Sequence, residues 1–325
     1  MDWRQAMTGS KRLWLKFLGG FALANIIMIG LFLGFVIVNR NHLPALRFSV
    51  NIALNEKVRW LQRRFADGHC DTLVIGSSMA LNSVNYRELE AIGLKNVTNA
   101  GAWALGVPQT LRLLETILPR CKPTTIIYPV YFGDFEPADA GSDIDFAGIA
   151  AYLARPEAGG VLDYLAETDP YDLIHDYGKA RGRLRKGRSV YQTLDFDAAG
   201  SVMLAADHFQ IDVRRWEGYR FTSVRINDGS LRAFGDLVRL ADTDGIRLVV
   251  AETPMRAPVV PVLGRDKVRA WQQAVAGICV RPQCRLVEMP PPGEFGDALF
   301  VDFAHLNENG ARQWTRRLAA ILAAD

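Results

Sequence analysis

The sequence predicts an α/β fold: a doubly wound parallel sheet with a large insertion, preceded by one N-terminal transmembrane helix. Three observations predict it. An uncharged apolar stretch runs from Phe17 to Val38. Short apolar runs alternate with amphipathic helical stretches from Asp71 to Val130, and again from Ser230 to Leu322. Between these, over residues 135–230, the alternation fails. Strands and helices alternating along a chain are what parallel pairing with right-handed crossovers requires.

The anchor comes first. Residues 17–38 contain no Asp, Glu, Lys, Arg or His, and only Asn25 interrupts their apolar character. At a rise of 1.5 Å per residue they extend about 33 Å, enough to cross a hydrocarbon core with slight tilt. A cleaved signal peptide has a shorter apolar run and a small-residue cleavage site. Here Asn39, Arg40, Asn41 and His42 follow instead, so a retained anchor is expected. Arg4, Lys11, Arg12 and Lys16 precede the span, while Arg40 and Arg47 follow it. The positive-inside bias then puts residues 1–16 in the cytoplasm and the chain from residue 40 onward outside it, as a single-pass protein of the inner membrane with a periplasmic domain.

A juxtamembrane segment, 39–70, leads to the main domain, 71–325. Within it, residues 51–66 have helical periodicity, with Ile52, Val58, Leu61 and Phe65 on one side. Asp71 to Ile75 reads as a buried parallel strand that ends in the tight turn Gly76-Ser77-Ser78. Met79 to Ile92 reads as a helix, Asn96 to Asn99 as a second strand and Thr110 to Leu118 as a helix. Thr124 to Val130 is a third strand, with Pro129 near its end. The insertion, 135–230, is aromatic-rich and mixed, and reads as a cap over the working edge of the sheet. The alternation then resumes: helix Ser230 to Ala241, strand Ile246 to Ala251, helix Lys267 to Ile278, strand Arg285 to Met289 and helix Asn309 to Leu322.

A net charge of +3, dispersed along the chain, argues against a nucleic-acid partner. One basic run, Lys179 to Arg188, reads as a solvated face or, more sharply, as a surface for phospholipid or anionic glycan. The four cysteines, Cys70, Cys121, Cys279 and Cys284, permit disulfides in an extracytoplasmic domain. They lack metal-ligand spacing, and the sequence calls for no metal or cofactor. Cys279 and Cys284 can close a small loop around Pro282. His42, His69, His175 and His208 have no suitably spaced partners, and Trp103, Tyr128, Tyr131 and Trp216 read as core aromatics, with Trp103 placed to serve the site as well.

In an open parallel sheet, ligands sit at the carboxyl ends of the strands. Three polar features fall there. A serine in the turn Gly76-Ser77-Ser78 can expose its hydroxyl at a helix N-terminus, or simply cap that helix. In Asp302-Phe303-Ala304-His305 the carboxylate can hold one imidazole nitrogen and leave the other as a general base; metal ligands and caps share this spacing. Asn99-Ala100-Gly101 ends the second strand, where a loop can bring N–H groups to the site.

Taken in order, these features resemble the SGNH/GDSL hydrolase superfamily, over residues 71–134 and 240–325. The resemblance makes Ser78 the nucleophile and Asp302 and His305 its partners. It places oxyanion-hole N–H groups on Ser78, Ala104 and Gly101. The chain departs from the pattern twice. Ala104 stands where the second block has glycine, and Tyr131-Phe132-Gly133-Asp134 keeps the acid of the third block but lacks its asparagine. The Gly-Ser-Ser turn and outward-facing anchored domain are similar to a branch that includes the teichoic-acid D-alanylation protein and alginate-type O-acetylation proteins. That branch implies acyl transfer through an acyl-serine to a cell-envelope polysaccharide, in partnership with a membrane-bound O-acyltransferase. A carbohydrate esterase and a non-catalytic adaptor of an acyltransferase complex are the alternatives. The flavodoxin-like strand order makes the first and third strands neighbours. Cys70 and Cys121 lie just before each, so a Cys70–Cys121 disulfide is expected beside Cys279–Cys284.

Overall fold

Runs of three to six apolar and β-branched residues are too short to bury themselves, and here they pair into one sheet. The structure, a computed structural model, describes residues 3–39, 43–66, 68, 70–136, 143–155, 164–166, 168, 169, 171, 173, 194–205 and 226–324. Strands β1 (Thr72–Val74), β2 (Val97–Asn99), β3 (Thr125–Val130), β4 (Arg247–Glu252) and β5 (Cys284–Val287) lie in the order β2-β1-β3-β4-β5, and every pair is parallel. Thr72 is in register with both Val97 and Thr125, and Thr125 in turn with Arg247.

The helices are α1 (Trp3–Asn39), α2 (Ile52–Ala66), α3 (Ser78–Ser83), α4 (Tyr86–Glu90), α5 (Val107–Ile117), α6 (Phe146–Ala154), α7 (Asp228–Thr243), α8 (Val259–Leu263), α9 (Arg265–Ile278) and α10 (Glu308–Ala323). From β1 the chain steps one way to β2 through α3 and α4, then the other way to β3, β4 and β5 through α5, α7 and α9. Right-handed crossovers put the first pair of helices on one face and the returning helices on the other. The contacts agree: α10 lies against α3 and α4, and α7 lies against α5 and α9. Strands β1, β2 and β3 are buried at every position, as a sheet covered on both faces requires. Trp271, Trp314 and Tyr128 are the bulkiest aromatic side chains fully buried in this core.

The expected elements recur with two differences. The single helix expected over Met79 to Ile92 is two, because Asn85 starts a new one. Its side chain accepts the Arg87 N–H at 3.1 Å, which competes with continued helix. In α2 the buried face is Ala53, Leu54, Asn55, Lys57, Val58 and Leu61. Ile52 is exposed and Phe65 only partly buried, so the stripe is rotated from the one expected. Both expected disulfides are formed, with Cα separations of 5.4 Å for Cys70–Cys121 and 5.3 Å for Cys279–Cys284.

The described residues divide into two units, Ala45–Ala158 with Gly182–Asp325, and Met1–Pro44 with Gly159–Arg181. The first contains the sheet and α2. The second is built on α1, whose stretch Leu13–Asn39 is long and apolar enough to cross a membrane, with a mean hydropathy of 2.6. Phe17, Phe21, Ile26 and Leu31 are exposed along it. Beyond its end, Leu43 is buried with Val36 and Leu173 beside Tyr164 and Leu165. The Tyr164 hydroxyl donates to the Pro44 carbonyl at 2.8 Å.

Of the described residues in the insertion, Tyr164, Leu165 and Leu173 fall in the unit of α1, α6 packs on α2 and α5, and Leu194–Ala205 runs along α3. The basic run Lys179–Arg188, the histidines His42, His69, His175 and His208, and Trp216 lie outside the described residues.

Candidate active site

Ser78 owes its position to the residue two before it. Gly76 leaves β1 at φ +133°, and a Cβ there would sit 3.1 Å from the Tyr128 ring and 3.2 Å from the Ala80 Cβ. Glycine is thus required by both conformation and space. The chain turns sharply, and Ser77 becomes the N-cap of α3, its hydroxyl accepting the Met79 N–H at 3.2 Å. Capping therefore falls to Ser77. Ser78 is the first residue of the helix, partly exposed, with an N–H that the helix itself cannot satisfy.

His305 arrives from the loop before α10, 227 residues away in sequence, and its Nε2 lies 2.8 Å from Ser78 Oγ. Its Nδ1 lies 2.8 Å from Asp302 Oδ2. The other carboxylate oxygen accepts the N–H groups of Ala304 and His305, at 2.9 and 2.8 Å. One carboxylate thus shapes the turn and orients the ring. A bridge between Phe300 and Leu306 and a hydrogen bond from the Val301 N–H to the His305 carbonyl at 2.9 Å close the loop. Asn307 then caps α10, accepting the N–H groups of Asn309 and Gly310. Serine hydroxyl, imidazole and carboxylate form one continuous hydrogen-bonded chain. Such a chain can take a proton from the hydroxyl and hold the resulting imidazolium.

The loop after β2 forms the other wall. The Ala102 N–H donates to the Gly76 carbonyl at 3.2 Å. A Cβ on Gly101 would meet Ala80 Cβ at 2.7 Å and Leu81 N at 2.8 Å, so this loop lies directly on the start of α3. The expected role of Gly101 as an oxyanion donor needs correction. Its N–H already donates to Asn99 Oδ1 at 2.8 Å, and its glycine identity serves this close approach. Ala104 follows in the same loop. It is exposed, and it sits at φ +52°, the left-handed conformation that glycine favours. Among the described residues its N–H has no acceptor.

Asp134, the retained acid, is 3% exposed and accepts the Tyr131 N–H at 3.1 Å. Burial pushes its carboxyl from 3.8 up to about 7, against hydrogen bonds from Ser77 and the Tyr131 backbone. It sits beneath the turn, hydrogen-bonded to Ser77, the neighbour of Ser78. Tyr128 is fully buried core, in contact with Phe234, and Trp103 is half-buried against the cluster of Leu81, Val202, Leu204 and Val301.

Sequence reasoning missed two residues at and just before α2. Lys57 is fully buried, and its Nζ donates to the Asn99 carbonyl at 2.9 Å and to the Gly200 carbonyl, over the rings of Phe196 and Trp60. Burial lowers its pKa from 10.5 to about 7, with Asp197 opposing. Asn51 donates through Nδ2 to the Trp103 carbonyl. A lysine within the apolar stripe Leu54, Val58 and Leu61 was the available signal. No protein-family model matches this chain, and no curated protein matches it at a significant level.

Proposed function

We propose that this chain is a membrane-anchored, serine-dependent acyl-transfer protein of the SGNH/GDSL type that acts on a cell-envelope polysaccharide. The observation that carries the reading is the contiguous chain Ser78, His305 and Asp302, with both links at 2.8 Å. The strand order β2-β1-β3-β4-β5 supports it, being the flavodoxin-like order in which ligands bind at the carboxyl edge. A single long apolar helix followed by a disulfide-bonded domain supports an N-terminus inside the cytoplasmic membrane and a domain outside it.

In this reading His305 Nε2 removes the Ser78 proton as Oγ bonds to the acyl carbonyl carbon. The N–H groups of Ser78 and Ala104 stabilise the oxyanion, and Asp302 stabilises the imidazolium. Collapse breaks the bond to the leaving oxygen, which takes the proton from His305 and leaves an acyl-Ser78. A sugar hydroxyl of the polymer then gives its proton to His305 and attacks the acyl carbon, and the bond to Ser78 Oγ breaks as Oγ takes that proton back from His305. Water in place of the sugar makes the same site an esterase. A membrane-bound O-acyltransferase is the donor-side partner that fits an acyl group delivered from the cytoplasm. The adaptor reading draws on one observation, the acid Asp134 in a block that lacks the asparagine donor.

The test is covalent. Full-length protein in detergent, incubated with p-nitrophenyl acetate and digested, is expected to carry acetyl on Ser78, with no such adduct in Ser78→Ala. Equal labelling of the two proteins would sink the assignment.

A further inference from the structure

The peptide between Trp103 and Ala104 is the part of the loop that needs most support. A left-handed alanine is disfavoured by roughly 1–2 kcal/mol against a right-handed one, and Ala104 adopts this conformation at φ +52° on an exposed loop. The carbonyl of Trp103 and the N–H of Ala104 belong to one peptide unit. In a trans peptide they point in opposite directions. Whatever holds the carbonyl therefore aims the N–H. The group that holds it is Asn51 Nδ2, 52 residues earlier in the chain.

Asn51 is itself fixed from the other side. It precedes α2, where its Oδ1 accepts the Leu54 N–H at 3.2 Å and its own N–H donates to Ser49 Oγ at 2.9 Å. The cap requires the oxygen on the helix side, so the amide nitrogen must face Trp103 and the orientation of the group is determined. Six residues on, Lys57 of α2 donates to the carbonyl of Asn99, where β2 hands over to the loop. At a rise of 1.5 Å per residue the backbone positions of the two residues are about 9 Å apart along the axis of α2. They hold the loop Asn99–Ala104 at both ends.

We propose that the juxtamembrane helix α2 belongs to the catalytic apparatus, with Asn51 as the positioning residue that aims the Ala104 N–H at the oxyanion. A donor to the Trp103 carbonyl fixes the peptide plane and polarises its N–H, because hydrogen bonds in series reinforce one another. Asn51 touches no substrate and acts through Ala104. The inference rests on the acyl-serine reading of Ser78 and adds to it the element that completes the oxyanion hole.

Two substitutions separate the cap from the aim. Asn51→Ser keeps a capping oxygen on a side chain too short to reach Trp103, and Asn51→Asp keeps the oxygen and removes the donor. In full-length protein with p-nitrophenyl acetate, both variants are expected to retain the wild-type melting temperature within a few degrees. Their kcat is expected to fall about tenfold to a hundredfold with KM little changed, short of the ~10²–10³ for losing an oxyanion donor outright. Asn85→Ala removes a comparable cap, that of α4, which makes no hydrogen bond to this loop among the described residues; it is expected to lose stability and keep kcat. Wild-type kcat in both Asn51 variants, with Ser78 still acetylated, would overturn the positioning role and leave the acyl-serine reading intact. Absence of Ser78 acetylation in the unmutated protein would overturn both.

Discussion

On one side of Ser78 the chemistry is held by the chain's immediate neighbours; on the other it is held from far away. His305 is oriented by Asp302, three residues before it, and one carboxylate both forms the turn and fixes the ring. The loop Asn99–Ala104 has one internal bond, from the Gly101 N–H to Asn99 Oδ1, and is otherwise held from outside. It leans on Lys57 and Asn51 at α2, on the turn at Gly76, and on Ala199, whose carbonyl accepts the Asn99 N–H at 2.7 Å. Asn99 adds to this by donating through Nδ2 to the Ala80 carbonyl and to Ser201 Oγ. The acid–base side is a local motif that a short sequence can specify. The loop side, where the proposed oxyanion donors lie, is an assembly of four segments, and it exists only when the domain is folded around it.

The largest effects test the local side. Ser78→Ala and His305→Ala are each expected to lower kcat toward p-nitrophenyl acetate by about 10⁴-fold or more, since triad members fail as a unit. Melting temperatures should hardly move, because neither side chain fills the core. Asp302→Asn is expected to do comparable kinetic damage through the wrong imidazole tautomer. Full activity in Ser78→Ala would move the chemistry elsewhere.

The disulfides bound the comparison from the opposite end of the sheet. Cys70 and Cys121 precede β1 and β3, at the amino edge, away from the turn that carries Ser78. Their sequence separation is 51, against 5 for Cys279–Cys284. By loop-closure entropy, removing the first bridge costs about 4 kcal/mol and the second about 2 kcal/mol. Denaturant unfolding of Cys70→Ala/Cys121→Ala and Cys279→Ala/Cys284→Ala checks the order, and kcat is expected to stay put in both folded variants.

Two buried ionisable groups, Asp134 beneath the turn and Lys57 under the loop, give the fold a pH signature. Burial raises Asp134 from 3.8 to about 7. The fold prefers its neutral form, so its contribution is fully present below pH 3.8 and is lost as pH rises to 7. Lys57 has the opposite sign. Lowered from 10.5 to about 7, it contributes fully above pH 10.5 and loses that contribution as pH falls to 7. Asp134→Asn is expected to make the decline between about pH 4 and 7 in thermal melts shallower, with Glu136, Asp197 and Glu252, also raised by burial, supplying the rest, and to leave the rise between about pH 7 and 10 in place. A variant with the unaltered acid-side slope would mean that the carboxyl is ionised in the fold throughout.

This division explains what the sequence could convey. The strands Asp71–Ile75, Thr124–Val130 and Ile246–Ala251 were legible within a residue or two, because parallel strands buried on both faces are written as unbroken apolar runs. Ser78, Asp302 and His305 were legible because each sits in a short pattern whose geometry is local. Asn51 was not. Its cap is ordinary, and its second partner lies 52 residues away across a fold that must first form. Gly101 was misassigned for a related reason. Its N–H is satisfied by Asn99 two residues before it, and the need for glycine comes from Ala80 and Leu81 across the turn.

The smallest expected effect sharpens the comparison most, because it asks whether the loop is held or merely rests. Ala104 is one of two left-handed non-glycine residues among those described, the other being Asn96, a residue type that tolerates the conformation. Ala104→Gly removes the Cβ penalty and also frees the unfolded chain, two terms of opposite sign that are each about 1 kcal/mol. The net stability change is expected to stay within about 1 kcal/mol. The kinetic outcome discriminates. A loop clamped at the Asn99 and Trp103 carbonyls keeps its peptide aimed whichever residue follows, so kcat is expected to stay within about twofold, a change of roughly 0.4 kcal/mol. A loop that depends on alanine's restricted backbone would lose its aim with glycine and drop kcat by about tenfold or more. Combining Ala104→Gly with Asn51→Ser tests the clamp directly. Glycine should become damaging once the donor to Trp103 is gone, so the double variant should fall below the product of the two single effects, the signature of residues acting on one peptide.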